Sequence, residues 1–93
     1  MNTKLIEDGV KIHGRRYRDG DFLVVKDKHG NVIGEGAVKF GIYKDGESYL
    51  DGYHVGFQVE WYRKKPKAEH SLRTLVDLIY EAEEQDWTIE IRK

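Results

Sequence analysis

The sequence has no cysteine, a single proline, and no excess of acidic or basic residues. Without cysteine the chain has no disulfides, thiolate nucleophiles or thiolate metal sites, which suits a reducing cytosol. The net charge of -1 argues against a general nucleic-acid coat or a membrane-surface protein, although a local charged patch stays open as an alternative. The longest apolar run, residues 22–25, is too short for a transmembrane helix or a signal peptide. We therefore expect a cytoplasmic protein.

The chain has 93 residues, which is the length of one small domain. A domain of this size buries only about 60% of the surface of its unfolded chain, so the core must be small. Aromatic residues make up 12% of the sequence and raise the apolar area that each residue can bury. The sequence therefore predicts a single domain over residues 1–93.

The clearest pattern lies in residues 53–61, where large apolar side chains occupy alternate positions. The apolar residues are Tyr53, Val55, Phe57, Val59 and Trp61, and polar residues or glycine lie between them. Because successive side chains of a strand point to opposite faces, this stretch predicts a strand with one apolar face. We expect that face to meet Val38, Phe40 and Ile42 of another strand and to form the core.

Further strands and turns are predicted along the rest of the chain. Strands are expected at residues 10–12, 15–18, 22–26, 32–43 and 87–92, with turns at 13–14, 19–20 and 27–31. Residues 22–26 are apolar without alternation, which indicates a strand buried on both faces. Gly34, Gly36 and Gly41 interrupt the 32–43 strand, and such glycines are typical of bends that coil a small sheet toward a barrel.

One amphipathic helix is predicted at residues 72–85, with Ser71 as its N-cap. Its apolar stripe contains Leu72, Leu75, Val76, Ile79 and Ala82. Its outer face carries Asp77, Glu81, Glu83 and Glu84. The predicted fold class is α+β: a small, strongly coiled antiparallel β-sheet or partial β-barrel of about five to six strands, with the helix packed on it before a C-terminal strand.

No catalytic, metal or cofactor motif stands out in the sequence. The histidines share no i, i+3 or i, i+4 spacing, and without cysteine only carboxylates could complete a metal site. The two serines, Ser48 and Ser71, lie outside any Gly-x-Ser-x-Gly motif. We therefore expect no enzyme activity, no bound metal and no cofactor.

Four short segments resemble the YopX-like family of phage-encoded proteins. They are residues 17–21 (Tyr-Arg-Asp-Gly-Asp), residues 37–43 (Ala-Val-Lys-Phe-Gly-Ile-Tyr), residues 56–61 (Gly-Phe-Gln-Val-Glu-Trp) and the pair Ser71 and Leu72. In order along the chain, the resemblance extends over roughly residues 15–91. It implies a small β-barrel-like protein of a phage or prophage, and accessory proteins of this kind often act by binding a host factor.

The first functional hypothesis is a protein-binding module. An aromatic and acidic loop region contains Tyr43, Tyr49, Asp51 and Tyr53, and interfaces favour aromatic anchors with polar surroundings. The predicted helix adds the acids Asp77, Glu81, Glu83 and Glu84. Together these residues suit a basic groove on a nucleic-acid enzyme. The expected partner is a bacterial host protein, and the expected role is that of an anti-CRISPR-like inhibitor of a host or defence factor.

The alternative hypothesis is a small nucleic-acid-binding β-barrel. Such barrels often present aromatic side chains to bases beside basic residues that contact phosphates. The basic segment at residues 61–67 and the arginines near Tyr17 have this composition. The candidate residues are Arg15, Arg16, Arg18, Tyr62, Arg63, Lys64, Lys65 and Lys67.

Overall fold

The computed structural model describes residues 8–44, 53–68 and 71–92, with the backbone alone for residues 42–44 and 53–55. Its strands are β1 (Val10–Ile12), β2 (Arg15–Tyr17), β3 (Phe22–Lys26), β4 (Val32–Lys44), β5 (Tyr53–Trp61) and β6 (Thr88–Arg92). The helix α1 (Leu75–Gln85) lies between β5 and β6 in the chain. Each predicted strand and the predicted helix are present, with small shifts in where they begin and end.

The described strands form two antiparallel sheets. Strands β1 and β2 make a two-stranded hairpin, and the order β5-β4-β3-β6 makes a four-stranded sheet. The α+β fold class is therefore confirmed, with one helix before a C-terminal strand. The four-stranded sheet is open, because β5 and β6 lie at its two edges and do not pair with each other.

The core lies between the four-stranded sheet and α1. Val38 of β4 is opposite Val59 of β5, and Phe40 is opposite Phe57 with ring centroids 4.9 Å apart. This confirms the predicted apolar face of β5 for the side chains that the structure describes. The buried apolar residues of this layer include Leu23, Val25, Val38, Val59, Leu75, Leu78, Ile79 and Ala82.

Strand β3 and its turns follow the sequence prediction closely. Val24 is 1% exposed although it points away from α1, so β3 is buried on both faces as predicted. The β1–β2 turn consists of His13 and Gly14, with φ of 50° and 80°. Gly30 has a φ of 86° in the turn between β3 and β4. Positive φ at consecutive turn residues matches the twist of a two-residue hairpin.

The beginning of the helix differs from the prediction. The N-cap is Thr74, whose Oγ1 accepts a hydrogen bond from the backbone N–H of Asp77 at 3.1 Å. Ser71 instead accepts a 3.3 Å hydrogen bond from the N–H of Arg73, outside the helix. The N–H of Val59 donates to the carbonyl of Arg73 at 2.8 Å. The segment before the helix therefore stays extended, because it pairs with the edge of β5.

One residue of the predicted apolar stripe does not lie in the core. Val76 is 45% exposed, whereas Leu78 is fully buried. Leu72 is buried as predicted, but from the extended segment before the helix. Leu75 and Ile79 of α1 belong to the core, whereas the side chain of Val76 lies outside it.

Two glycines of β4, Gly34 and Gly36, leave room for groups that approach the strand closely. A Cβ built at Gly34 would lie 2.7 Å from the ring of Pro66 and 2.8 Å from the indole of Trp61. A Cβ built at Gly36 would lie 2.5 Å from the carbonyl oxygen of Glu60. Glycine is required here because a side chain and a neighbouring backbone approach β4 closely.

Candidate functional site

An exposed surface on α1 combines aromatic, apolar and acidic side chains. We define the acidic helix face by the residues Val76, Asp77, Tyr80, Glu83 and Glu84, all of them exposed. At 3.6 residues per turn these positions occupy about one third of the helix circumference. Tyr80 is 56% exposed and Val76 is 45% exposed, so the face offers apolar area as well as charge.

The β1–β2 hairpin borders the acidic helix face. Nδ1 of His13, in the hairpin turn, lies within hydrogen-bonding distance of Oε1 of Glu83. The imidazole also lies edge-on to Tyr80, with ring centroids 6.0 Å apart and planes at 82°. These contacts hold one side of the face in place, while Asp77 and Glu84 are exposed.

Glu81 is not part of the acidic helix face, and its predicted outer position is wrong. The residue is only 5% exposed, and its Oε1 accepts a 3.2 Å hydrogen bond from Nε2 of Gln85. The cause is helical geometry, since Glu81 projects close to the direction of Leu78 and Gln85. A buried carboxylate with a side-chain donor supports the helix and is not available to a partner.

The aromatic loop of the first hypothesis falls largely outside the described residues. Tyr49 and Asp51 lie outside them altogether. Tyr43 and Tyr53 belong to β4 and β5, where Tyr43 is paired with His54 and Tyr53 with Lys44, but only their backbone is described. Their proposed role in protein binding stays a prediction.

A second candidate region is a cleft of about 540 Å³ between the segment after β5 and the end of α1. We name it the basic cleft. Its lining residues are Asp27, Ile33, Lys64, Lys65, Lys67, Gln85 and Trp87. Three lysines, an indole and a single carboxylate therefore line the same concave surface.

The backbone after β5 is anchored in a way that presents these lysines. The N–H of Glu35 donates to the carbonyl of Lys64 at 3.1 Å, and the N–H of Tyr62 donates to the carbonyl of Glu35 at 2.9 Å. Pro66 is buried over Gly34, whereas its neighbours Lys65 and Lys67 are exposed. The single proline of the chain thus fixes the segment between two exposed lysines.

Asp27 is held in the basic cleft as an ionised group. Its carboxylate accepts hydrogen bonds of 2.9 Å from the backbone N–H groups of His29 and Asn31. The hydrogen bond from the Asn31 backbone, followed by that from His29, outweighs the desolvation of the carboxyl and lowers its pKa below the usual 3.8. Asp27 therefore organises the β3–β4 turn and is negatively charged at neutral pH.

The structure separates the basic residues of the alternative hypothesis. Arg15 donates to the carbonyl of Ile89, and Arg16 donates to the carbonyl of Asp8 at 2.8 Å, so both stabilise the hairpin region. Arg18 is exposed in the turn before β3, where its backbone N–H donates to Asp21. Lys64, Lys65 and Lys67 alone come together in the basic cleft.

Tyr62 and Arg63 lie away from the basic cleft, on a smaller neighbouring surface. The ring of Tyr62 is stacked on Phe22, with centroids 6.2 Å apart and planes at 7°. These residues line a separate depression with Glu35 and Arg92. Arg63 lies 3.9 Å from Glu35 with its side chain 85% exposed, so this ion pair is weak.

Ile33, Gln85 and Trp87 line the cleft although none of them is a candidate from the sequence, because nothing in the local sequence connects them with Lys65. Within residues 8–44, 53–68 and 71–92, no three His, Asp or Glu side chains form a group suited to a metal ion. Of the helices in that part of the chain, none has the length and apolar character needed to cross a membrane.

Comparison with known proteins leaves the chain without an assigned relative. No family model matches it, and no curated protein or solved structure matches it. The resemblance to the YopX-like family therefore stays a prediction.

Proposed function

We propose that this chain is a protein-binding module that engages a basic surface of its partner through the acidic helix face. The observation that carries the proposal is the exposure of Tyr80 and Val76, at 56% and 45%, beside Asp77 and Glu84. Aromatic anchors surrounded by polar groups are the usual composition of a binding hot spot. The helix sequence contains no lysine or arginine to neutralise the carboxylates from within the face.

The partner class that fits this face best is a nucleic-acid enzyme of a bacterial host. The substrate groove of such an enzyme carries lysines and arginines that contact phosphates, and carboxylates form charge-assisted hydrogen bonds with the same groups. The acids of the helix would occupy phosphate positions, and Tyr80 would take a position where a base stacks. Binding of this kind inhibits the enzyme by competition with its substrate.

The biological setting is part of the same proposal. The resemblance to YopX-like proteins supports an accessory protein of a phage or prophage, and a host or defence nuclease is a target on which such a protein acts. The chain would then be an anti-CRISPR-like inhibitor in the bacterial cytoplasm. Its small size and its rigid helix suit a binder that works by occlusion and needs no chemistry of its own.

Capture from bacterial lysate with matched variants tests the proposal. The test variant combines Tyr80→Ala with Asp77→Lys and Glu84→Lys, and it leaves Glu83 in contact with His13. We expect it to lose a nucleic-acid enzyme that the wild-type chain retains, with an affinity loss of at least about 30-fold, because hot-spot aromatics contribute about 2 kcal/mol or more. Added nucleic acid should release the captured enzyme.

The control removes an aromatic and reverses one charge outside the acidic helix face. It combines Tyr62→Ala, a residue 52% exposed, with Glu60→Lys, also exposed. The control should capture the same enzyme as the wild-type chain. If test and control variants capture the same proteins to the same extent, the acidic helix face is not the interface.

A further inference from the structure

The basic cleft has the size and composition of a small-ligand site. Its volume of about 540 Å³ lies within the range of roughly 300–1,000 Å³ that is usual for such sites. Its lining combines an aromatic ring and an aliphatic side chain with three lysines and one amide, so apolar and charged groups converge on the same space. This cleft contains no residue of the acidic helix face and is independent of the function proposed above.

The apolar side of the cleft is held in position by the core. Ile33 and Trp87 are half-buried and pack against the hydrophobic core. Trp87 follows Asp86, which ends α1 with a φ of 59°, and the N–H of Trp87 donates to the carbonyl of Ala82 at 2.8 Å. The backbone of Trp87 is therefore fixed. This lowers the entropy cost when a ligand stacks on the indole ring.

The basic residues of the cleft lie on one short segment whose backbone is anchored to β4. Lys64, Lys65 and Lys67 are exposed, and Nζ of Lys64 lies 3.4 Å from the carbonyl oxygen of Val32. Buried Pro66 keeps the segment against β4, so the lysines project from a fixed backbone. Three lysines that line one cleft attract a ligand with several negative oxygens, such as a polyphosphate, more strongly than a ligand with one carboxylate.

We propose that the basic cleft binds the nucleotide unit, which joins an aromatic base to phosphate groups. The base stacks on Trp87 and contacts Ile33, and the amide of Gln85 hydrogen-bonds its edge. The phosphates lie against the three lysines. Asp27 also lines the cleft. Its carboxylate accepts hydrogen bonds from amino or hydroxyl groups of the ligand. A free nucleotide and one unit of a single strand share this chemistry.

Titration with three probes tests the proposal and separates the two sources. The probes are adenosine triphosphate, inorganic triphosphate, and an oligodeoxyadenylate of about eight nucleotides, and binding is measured by calorimetry and tryptophan fluorescence. We expect adenosine triphosphate or the oligonucleotide to bind with a Kd below about 1 mM and to bind more tightly than inorganic triphosphate. Tighter binding of the oligonucleotide identifies the single strand as the ligand, and equal or weaker binding identifies the free nucleotide.

Two variants assign the binding to the cleft. Trp87→Leu should weaken nucleotide binding by roughly 5- to 150-fold, the range for loss of one base–aromatic stack, without changing the affinity for inorganic triphosphate. The triple variant Lys64→Gln, Lys65→Gln and Lys67→Gln should weaken all probes. It should also reduce the slope of log K against log salt for the oligonucleotide by about 2.

The matched control removes the same charge elsewhere, through Lys11→Gln, Lys28→Gln and Lys39→Gln at exposed positions outside the cleft. It should bind as the wild-type chain does. The proposal is overturned if no nucleotide probe binds below about 1 mM, or if inorganic triphosphate binds as tightly as the tighter of the two nucleotide probes. Equal binding by the two lysine triple variants also overturns it, and this comparison holds even if Trp87→Leu does not fold.

Discussion

Gly34 and Pro66 show how a single contact joins the fold to a candidate site. The ring of Pro66 and the indole of Trp61 occupy the space that a Cβ atom at position 34 would need. Nε1 of Trp61 donates to the carbonyl of Leu72 at 3.2 Å, so the same cluster also fixes the segment before α1. Close packing of this kind is sensitive to one added methyl group.

Adding that methyl group should therefore destabilise the protein. Gly34→Ala places a Cβ 2.7 Å from Pro66, and we expect the free energy of unfolding to fall by about 1–3 kcal/mol, as in other overpacked sites. Urea denaturation followed by circular dichroism measures the change. Gly41→Ala is the control, because none of the described atoms lies within 4 Å of a Cβ at that position. Equal losses in the two variants would contradict the packing explanation.

Residue types alone did not reveal which side chains share a surface. Glu81 was grouped with its acidic neighbours, but helical geometry places it beside Gln85 and it is buried. Trp87 begins the strand predicted at residues 87–92, yet it lines a cleft with three lysines from a segment about twenty residues earlier in the chain. The position of Glu81 follows from the helical period, whereas the contact of Trp87 with the lysines depends on tertiary packing and leaves no local pattern.

At the scale of elements, the helix begins directly after the segment that pairs with the edge strand β5. Thr74 pairs with Gln58 of β5 in a single antiparallel bridge and also caps α1. Ser71 has the chemistry of an N-cap but lies in the extended segment that pairs with β5. An exposed strand edge offers unpaired backbone groups, and covering it with this segment satisfies some of them.

The two hydroxyl residues should consequently differ in their effect on stability. Thr74→Ala removes the hydroxyl that accepts from the N–H of Asp77, and it should cost about 0.5–2 kcal/mol. Ser71→Ala removes only a longer hydrogen bond outside the helix, and it should change stability by less than about 0.5 kcal/mol. Thermal and urea denaturation of both variants measure the difference. A larger loss from Ser71→Ala would show that the helix extends further back in solution.

At the scale of the whole molecule, the β1–β2 hairpin and the four-stranded sheet share one hydrophobic core. Tyr17 of β2 is 4% exposed and belongs to the same buried cluster as Leu23 and Ile79. Arg15 adds a hydrogen bond from the hairpin to the carbonyl of Ile89 in the edge strand β6. The hairpin is therefore part of the folded unit, since two strands alone are at best marginally stable in water.

Removing the buried tyrosine should destabilise the entire domain. Tyr17→Ala should cost about 3–5 kcal/mol, as for other large aromatic residues in cores, out of a total of roughly 5–14 kcal/mol expected for this length. Tryptophan fluorescence and far-ultraviolet circular dichroism should report one coincident transition at lower urea concentration. Tyr80→Ala, exposed on the helix, should shift stability by less than about 0.5 kcal/mol. Local loss of the hairpin with an unchanged main transition would contradict a shared core.

The sequence by itself determined the elements and the fold class of this protein. Alternation at residues 53–61, turn residues such as His13 and Gly14, and the apolar period of the helix are local patterns that backbone geometry translates directly into strands, turns and a helix. The tertiary structure decided what those elements bring together. It places the N-cap of the helix at Thr74, opposite Gln58, and it joins Trp87 to the lysines beside Pro66, because packing places residues side by side that are distant in the chain.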